Sequence, residues 1–147
     1  MNPPIEMQEI YFGTDQYKEE LQLRNRVLRK PLGLSLFDEN LSKEIDDIHL
    51  GAFNGNNLIG VLILTVLGKG EVKMRQVGVD ENWRGKNVGA RLVIYAEDFA
   101  RTHGYKKVVL NARKSVVGFY EKLGYEKIGG EFFEVTLPHQ KMQKELG

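Results

Sequence analysis

The run Gln76-Val77-Gly78-Val79-Asp80-Glu81-Asn82-Trp83-Arg84-Gly85-Lys86-Asn87-Val88-Gly89-Ala90-Arg91-Leu92 decides how this chain is read. It spells an apolar strand, a short polar turn, a glycine-spaced basic loop and the start of an amphipathic helix. Loop amides that open onto a helix form an anion site. The first-turn N–H groups lack intrahelical partners, and the positive end of the helix dipole points the same way. Gly85 and Gly89 carry no Cβ and let a bulky phosphate approach the backbone. The pattern points to a phosphorylated cofactor.

Immediately upstream, Glu71–Val79 is the strand that feeds this loop, and its apolar phase slips. Val72 and Met74 hold one parity, Val77 and Val79 the other, and side chains on a regular strand alternate strictly. One extra residue near Arg75 or Gln76, a β-bulge, would bring all four to one face and free backbone groups for a ligand. A strand buried on both faces would need no bulge.

Farther upstream, Ile48–Phe53 and Leu58–Leu67 read as strands joined by Asn54-Gly55-Asn56-Asn57, and Gly68-Lys69-Gly70 makes the next turn. Met7–Phe12 forms a first strand. Thr14 or Asp15 caps a helix running to about Arg29, with Tyr17, Leu21 and Leu28 on one stripe. Pro31 and Gly33 end it. Pro31–Asp47 shows no clear period, and a loop of that length suits a lid or substrate wall. Downstream, Val88, Leu92, Tyr95, Ala96 and Phe99 recur at helical spacing until His103-Gly104. Lys107–Leu110 is a short strand. Ser115 caps a second helix through Leu123, closed by Gly124. Glu131–Leu137 is a last strand and Pro138–Leu146 a polar tail. The order β-α-β-β-β-α-β-α-β predicts an α/β fold: one mixed sheet with helices on its faces. The Val79 and Lys107 strands should be parallel through a right-handed crossover.

The 147 residues suit a single domain, 1–147, with no repeat or internal boundary. Apolar residues make up 41% and charged residues 28%, a globular balance. A formal net charge of +1, from 21 basic and 20 acidic side chains, argues against nucleic acid as a partner. There is no cysteine, which excludes disulfides, thiolate metal sites and a cysteine nucleophile. His49, His103 and His139 are too scattered to indicate a metal. The start, Met1-Asn2-Pro3-Pro4, lacks signal-peptide character, and Leu58–Leu67 is too short an apolar run to span a bilayer. No membrane partner and a cytoplasmic address are expected.

The loop Arg84-Gly85-Lys86-Asn87-Val88-Gly89 resembles the Gln/Arg-x-x-Gly-x-Gly/Ala phosphate motif of the GNAT superfamily of acetyl-CoA-dependent N-acetyltransferases. Asn87 stands where that family usually has its middle glycine, and asparagine tolerates positive φ better than most residues. A second block, Asn111 through Phe119-Tyr120-Glu121-Lys122-Leu123-Gly124-Tyr125, is similar to the family's downstream signature. Leu137-Pro138-His139-x-x-Met142 is similar to the ending of a subgroup of small bacterial-type members. The resemblance covers about Ile48 to Tyr125 well. It implies a mostly antiparallel sheet with a central, splayed parallel strand pair. It implies acetyl-CoA as co-substrate, with Val77 and Val79 pairing the pantetheine arm. Arg84, Gly85, Lys86, Asn87, Val88, Gly89 and Ala90 would hold the pyrophosphate. Asn111 would contact the arm and Phe119 would pack beside it. Relatives are commonly dimers, so a homodimer is open.

Tyr120 is the choice for general acid, because acyl transfer to an amine expels a thiolate that a nearby phenol can protonate. Without the surrounding signature, a tyrosine on an amphipathic helix is ordinary core. Lys86 and Arg91 are basic residues near the loop, where charges are usually just solvated. Trp83 is read as packing. The general base stays open. Lys73 and Arg75, on the strand, are poor bases at neutral pH, although they suit an acceptor bearing a carboxylate or phosphate. Glu134, His49 and His139 are the alternatives. The expected activity is direct acetyl transfer from acetyl-CoA to a primary amine on a small molecule or peptide. The competing expectations are a non-catalytic acyl-CoA-binding module and a P-loop nucleotide binder. The second is disfavoured because Gly85-Lys86-Asn87 lacks Gly-Lys-Ser/Thr.

Overall fold

A computed structural model describes residues 4–147. Along the chain run β1 (Glu6–Ile10), α1 (Asp15–Arg24), β2 (Ile48–Asn54), β3 (Asn57–Gly68), β4 (Glu71–Val79) and α2 (Val88–Thr102). β5 (Lys107–Arg113), α3 (Val117–Lys122), β6 (Glu126–Lys127), β7 (Phe132–Glu134) and β8 (Leu137–Glu145) follow. The strands form one sheet in the order β1-β2-β3-β4-β5-β8-β6, with β7 also paired to β8. Every pairing is antiparallel except β4 with β5. This is the mixed, mostly antiparallel sheet with a central parallel pair that the sequence implied.

The period of α2 explains its seat. Val88, Leu92, Val93, Ala96 and Ala100 are fully buried, against Leu62, Leu64, Val72, Met74 and Leu110 of the sheet. α1 covers the opposite face, where Tyr17, Leu23 and Val27 pack with Ile10, Phe53 and Val61. Thr14 caps α1 by accepting the Tyr17 N–H at 3.2 Å. The helix then widens into a π-helical turn over Asn25–Arg29 and tightens into a 3₁₀ turn that ends at Gly33. The buried side of α1 departs from the predicted stripe. Leu21 and Leu28 are only partly covered, whereas Glu20 and Arg24 are fully buried.

Those two charges belong to a closed cluster. Arg24 reaches Glu20 at 3.0 Å and grips both oxygens of Glu44 at 2.8 and 2.7 Å. Tyr17 donates its hydroxyl to Glu44 at 2.7 Å. His49 places Nδ1 2.8 Å from Glu20 Oε2 and Nε2 2.9 Å from the Glu44 carbonyl. Both ring nitrogens therefore face oxygen acceptors, which only the doubly protonated imidazolium satisfies. Burial opposes that charge, but the bond to Glu20 and the two carboxylates outweigh it and raise the His49 pKa. Burial likewise works against the Glu44 carboxylate, and Arg24 and Tyr17 reverse it, leaving its pKa lowered. Glu44 sits in a 3₁₀ turn, Ser42–Asp46, so the cluster pins the Pro31–Asp47 segment to α1 and β2.

Three expectations near the C-terminus fail. Ser115 is exposed and is not a cap: a 3₁₀ turn, Lys114–Val116, leads into α3, and among the described residues no side chain caps either. The predicted polar tail is β8, a nine-residue strand lodged between β5 and β6. Its polar inward residues are satisfied. Gln140 donates to the carbonyls of Ile128 and Gly129 at 3.1 Å, and Lys144 reaches Glu97 at 2.9 Å and the Leu123 carbonyl at 2.7 Å. The last predicted strand, Glu131–Leu137, breaks at Val135-Thr136 into a tight turn from β7 to β8.

Candidate active site

The site begins where β4 and β5 part. They pair from Glu71–Lys107 to Met74–Leu110 and no farther, while each keeps its other neighbour. The cause is the bulge. Ile63 faces Arg75 and Val61 faces Gly78, so β4 fits one residue more than β3 into the same span. Gln76 takes up the excess at φ 55°, a value uncommon outside glycine. Val77 and Val79 thereby rejoin the face of Val72 and Met74. At Gly78 a Cβ would stand 2.9 Å from Val27 Cγ2, so only glycine lets the end of the first helical segment close over the bulged strand. The edge of β4 beyond Met74 is left without a strand partner on the β5 side.

The opening is a groove of about 1040 Å³. One end is the loop before α2. The first backbone bond of that helix runs from the Arg91 N–H to Asn87 O at 3.1 Å, and no side chain caps it. Among the described residues, no protein acceptor holds the N–H groups of Gly85, Lys86, Asn87, Val88, Gly89 or Ala90. Asn87 sits at φ 65° and ψ 17°, the left-handed geometry that a glycine would adopt there. A Cβ on Gly89 would project between Phe119 and Val79, 3.5 and 3.6 Å from their side chains, and would narrow the groove. Asp80 braces the loop by accepting the Asn82 N–H at 2.9 Å and pairing with Arg26 at 2.8 Å.

Val77, Val79, Arg84, Gly85, Asn87, Val88, Gly89, Ala90, Asn111, Phe119 and Tyr120 all line this one groove. Lys86 does not: its ammonium lies over the half-buried Trp83 ring, 5.0 Å from the centroid. Tyr120 is buried, edge-on to Phe119 and Tyr125, and its hydroxyl has no partner among the described residues. Burial pushes that phenol up to about 12.

The three candidate bases separate cleanly. His49 is locked in the buried cluster, away from the groove. Glu134 lines the groove, and Asn111 donates to its Oε2 at 3.4 Å. His139 lines it too, stacked on Phe132, with Nδ1 2.9 Å from the Leu137 carbonyl. Nδ1 must donate in that bond, so in the neutral ring Nε2 is the nitrogen with the lone pair. Of the strand cations, Arg75 lines the groove but is engaged by Thr65 at 3.1 Å, with Asp47 at 3.6 Å; Lys73 does not line it. Leu32, Leu34 and Glu39 of the Pro31–Asp47 segment contribute the far wall, together with Arg29 just before it. Gln76 was read only as a bulge candidate. It also lines the groove, and its Oε1 is buried without a partner among the described residues. Among the described residues, no helix is long and apolar enough to cross a membrane.

The arrangement can hold an elongated ligand: an anionic end on the free amides, an arm along the bare edge of β4, and a reacting end near Tyr120 and His139. A family model described as acetyltransferase (GNAT) domain matches residues 26–146. The uncharacterized N-acetyltransferase YjcF of Bacillus subtilis is 26% identical over 132 residues, 89% of this chain and 94% of its own. The crystal structure of Escherichia coli ElaA superposes with TM-score 0.85 at 23% identity, covering 97% of this chain and all of that one. An aminoglycoside 6'-N-acetyltransferase complexed with coenzyme A superposes with TM-score 0.78 at 18% identity, covering 96% of this chain and 97% of its own.

Proposed function

Because the chain belongs to the GNAT acetyltransferase family, we propose that it moves an acetyl group from acetyl-CoA to a primary amine by direct attack. One observation carries this: a single groove joins the free amides of residues 85–90, the unpaired edge of β4 and the Tyr120 hydroxyl. The pyrophosphate rests on the amides, where backbone N–H groups and the α2 dipole favour negative charge. The pantetheine arm pairs with Val77 and Val79 as an added strand would. Asn111 borders the arm and Phe119 closes over it. A protein of the same fold has been solved in complex with coenzyme A, which supports CoA as the ligand class.

His139 Nε2 takes the proton of the incoming amine as its nitrogen bonds to the thioester carbon. When the C–S bond breaks, Tyr120 gives its proton to the departing sulfur. Its raised pKa keeps the phenol protonated at neutral pH. The same dry surroundings raise the basicity of the thiolate, so donor and recipient shift together. One observation favours turnover over a binding-only module: His139 lines the groove with a ring nitrogen that has no partner among the described residues.

The test is a thermal-shift titration with acetyl-CoA, CoA and ATP. Ligand at a hundred times its dissociation constant adds about 2.7 kcal/mol. Both CoA species should shift the transition and ATP should not. Equal response to ATP, or none to CoA, overturns the proposal.

A further inference from the structure

The acceptor half of the groove holds one uncompensated charge of each sign. Arg29 is paired with Glu39 at 2.6 and 3.2 Å, and Arg75 is held by Thr65 and Asp47. Arg113 and Glu134 also line the groove. Among the described residues, Arg113 makes no ion pair or side-chain hydrogen bond, and Glu134 meets only the neutral Asn111 amide. Building on the acetyl-transfer reading, we propose that the acceptor is a free α-amino acid with an apolar side chain. Arg113 takes its carboxylate and Glu134 its amino group.

The strand register supports the spacing. Arg113 stands directly opposite His139 on the antiparallel β5–β8 pair, and Glu134 opposite Leu137 on β7–β8. Directly opposed residues have Cβ atoms only about 5 Å apart. The carboxylate site therefore adjoins the imidazole that removes the amine proton. In an α-amino acid the two groups are separated by one carbon, which fits that closeness. A guanidinium meets a carboxylate through parallel charge-assisted bonds, so Arg113 rewards this partner far more than a neutral one. Across the groove, Val27, Leu28, Leu32 and Leu34 form an apolar wall suited to an aliphatic or aromatic side chain. A polyamine would set a second cation against Arg113. An aminosugar would set hydroxyls against the apolar wall. An internal peptide residue would present a neutral amide where the carboxylate belongs.

The experiment compares L-leucine with 3-methylbutylamine, the same skeleton without its carboxylate, by release of CoA thiol from acetyl-CoA. Spermidine and kanamycin serve as further arms, and acetyl-CoA thermal shift is followed in parallel. The wild-type protein should use L-leucine with a kcat/KM at least about tenfold above that of 3-methylbutylamine, as expected for one charge-assisted pair. Arg113→Gln should collapse that ratio through the KM for L-leucine while the acetyl-CoA shift persists. A merely structural arginine would change both amines alike and leave the ratio intact. Equal use of the two amines, a ratio insensitive to Arg113→Gln, or turnover only with spermidine or kanamycin overturns the amino-acid assignment. A normal acetyl-CoA shift with no turnover on any arm overturns it too, yet spares cofactor binding. Absence of the acetyl-CoA shift removes the acetyl-transfer reading beneath it.

Discussion

Replacing Arg24 by methionine probes the most heavily charged part of the interior. The guanidinium is 1% exposed and supplies three charge-assisted bonds to Glu20 and Glu44. With Glu20, Glu44 and His49 it makes a neutral set, two anions against two cations. Methionine fills similar volume but leaves two buried carboxylates facing one imidazolium. Breaking a buried pair from one side costs about 3–5 kcal/mol, which for a chain of this size lowers the midpoint by on the order of 10 °C. Urea denaturation followed by circular dichroism measures it directly. The pH dependence carries a second signature. His49 has a raised folded pKa, so its contribution is complete below about 6.5 and fades as pH rises through the folded value. Glu44 has a lowered folded pKa, so its contribution is present above about 4.5 and fades as pH falls through the folded value. The wild-type advantage over Arg24→Met should therefore shrink as pH falls and Glu44 takes up a proton, and grow as pH rises and His49 loses the charge that is the variant's last cation in the cluster. An Arg24→Met protein within about 1 kcal/mol of wild type, or a gap that ignores pH, would show that the cluster does not bear the charge states assigned to it.

Tyr120→Phe should lose roughly 10²- to 10⁴-fold in turnover while its stability and acetyl-CoA shift stay near wild type, since the hydroxyl has no hydrogen-bond partner among the described residues; steady-state kinetics beside a melt decides it. Gly89→Leu should fold normally yet lose most of the acetyl-CoA thermal shift, because its side chain enters the groove between Phe119 and Val79. Unchanged binding there would move the cofactor elsewhere. Val135 and Thr136 sit at φ 50° and 63°, where a two-residue hairpin turn favours Asn-Gly. The pair Val135→Asn and Thr136→Gly should raise stability by about 1 kcal/mol, a gain of roughly 3 °C; a lower midpoint would mean that the turn is not strained.

What was legible in the sequence is what short stretches of backbone demand for themselves. The parity slip across Val72, Met74, Val77 and Val79 announced an extra residue, and Gln76 supplies it at positive φ. Asn87, two residues from Gly85 and Gly89, marked the left-handed entry to α2. Each of these requirements is local, because chirality and strand alternation act on neighbouring residues.

The tertiary structure alone decided which distant side chains meet. Pro138-His139-Gln140-Lys141 reads as a polar tail until Gln140 and Lys144 find carbonyls and a carboxylate contributed by other elements. His49 and His139 look alike along the chain. One lies between Glu20 and the Glu44 carbonyl, and the other lines the groove with a nitrogen free. Glu20 and Arg24 carry charges that would ordinarily turn to solvent, and they are buried because Glu44 and His49 arrive to meet them. Desolvation and pairing depend on the sum of contacts from separate elements, and no window of sequence contains that sum.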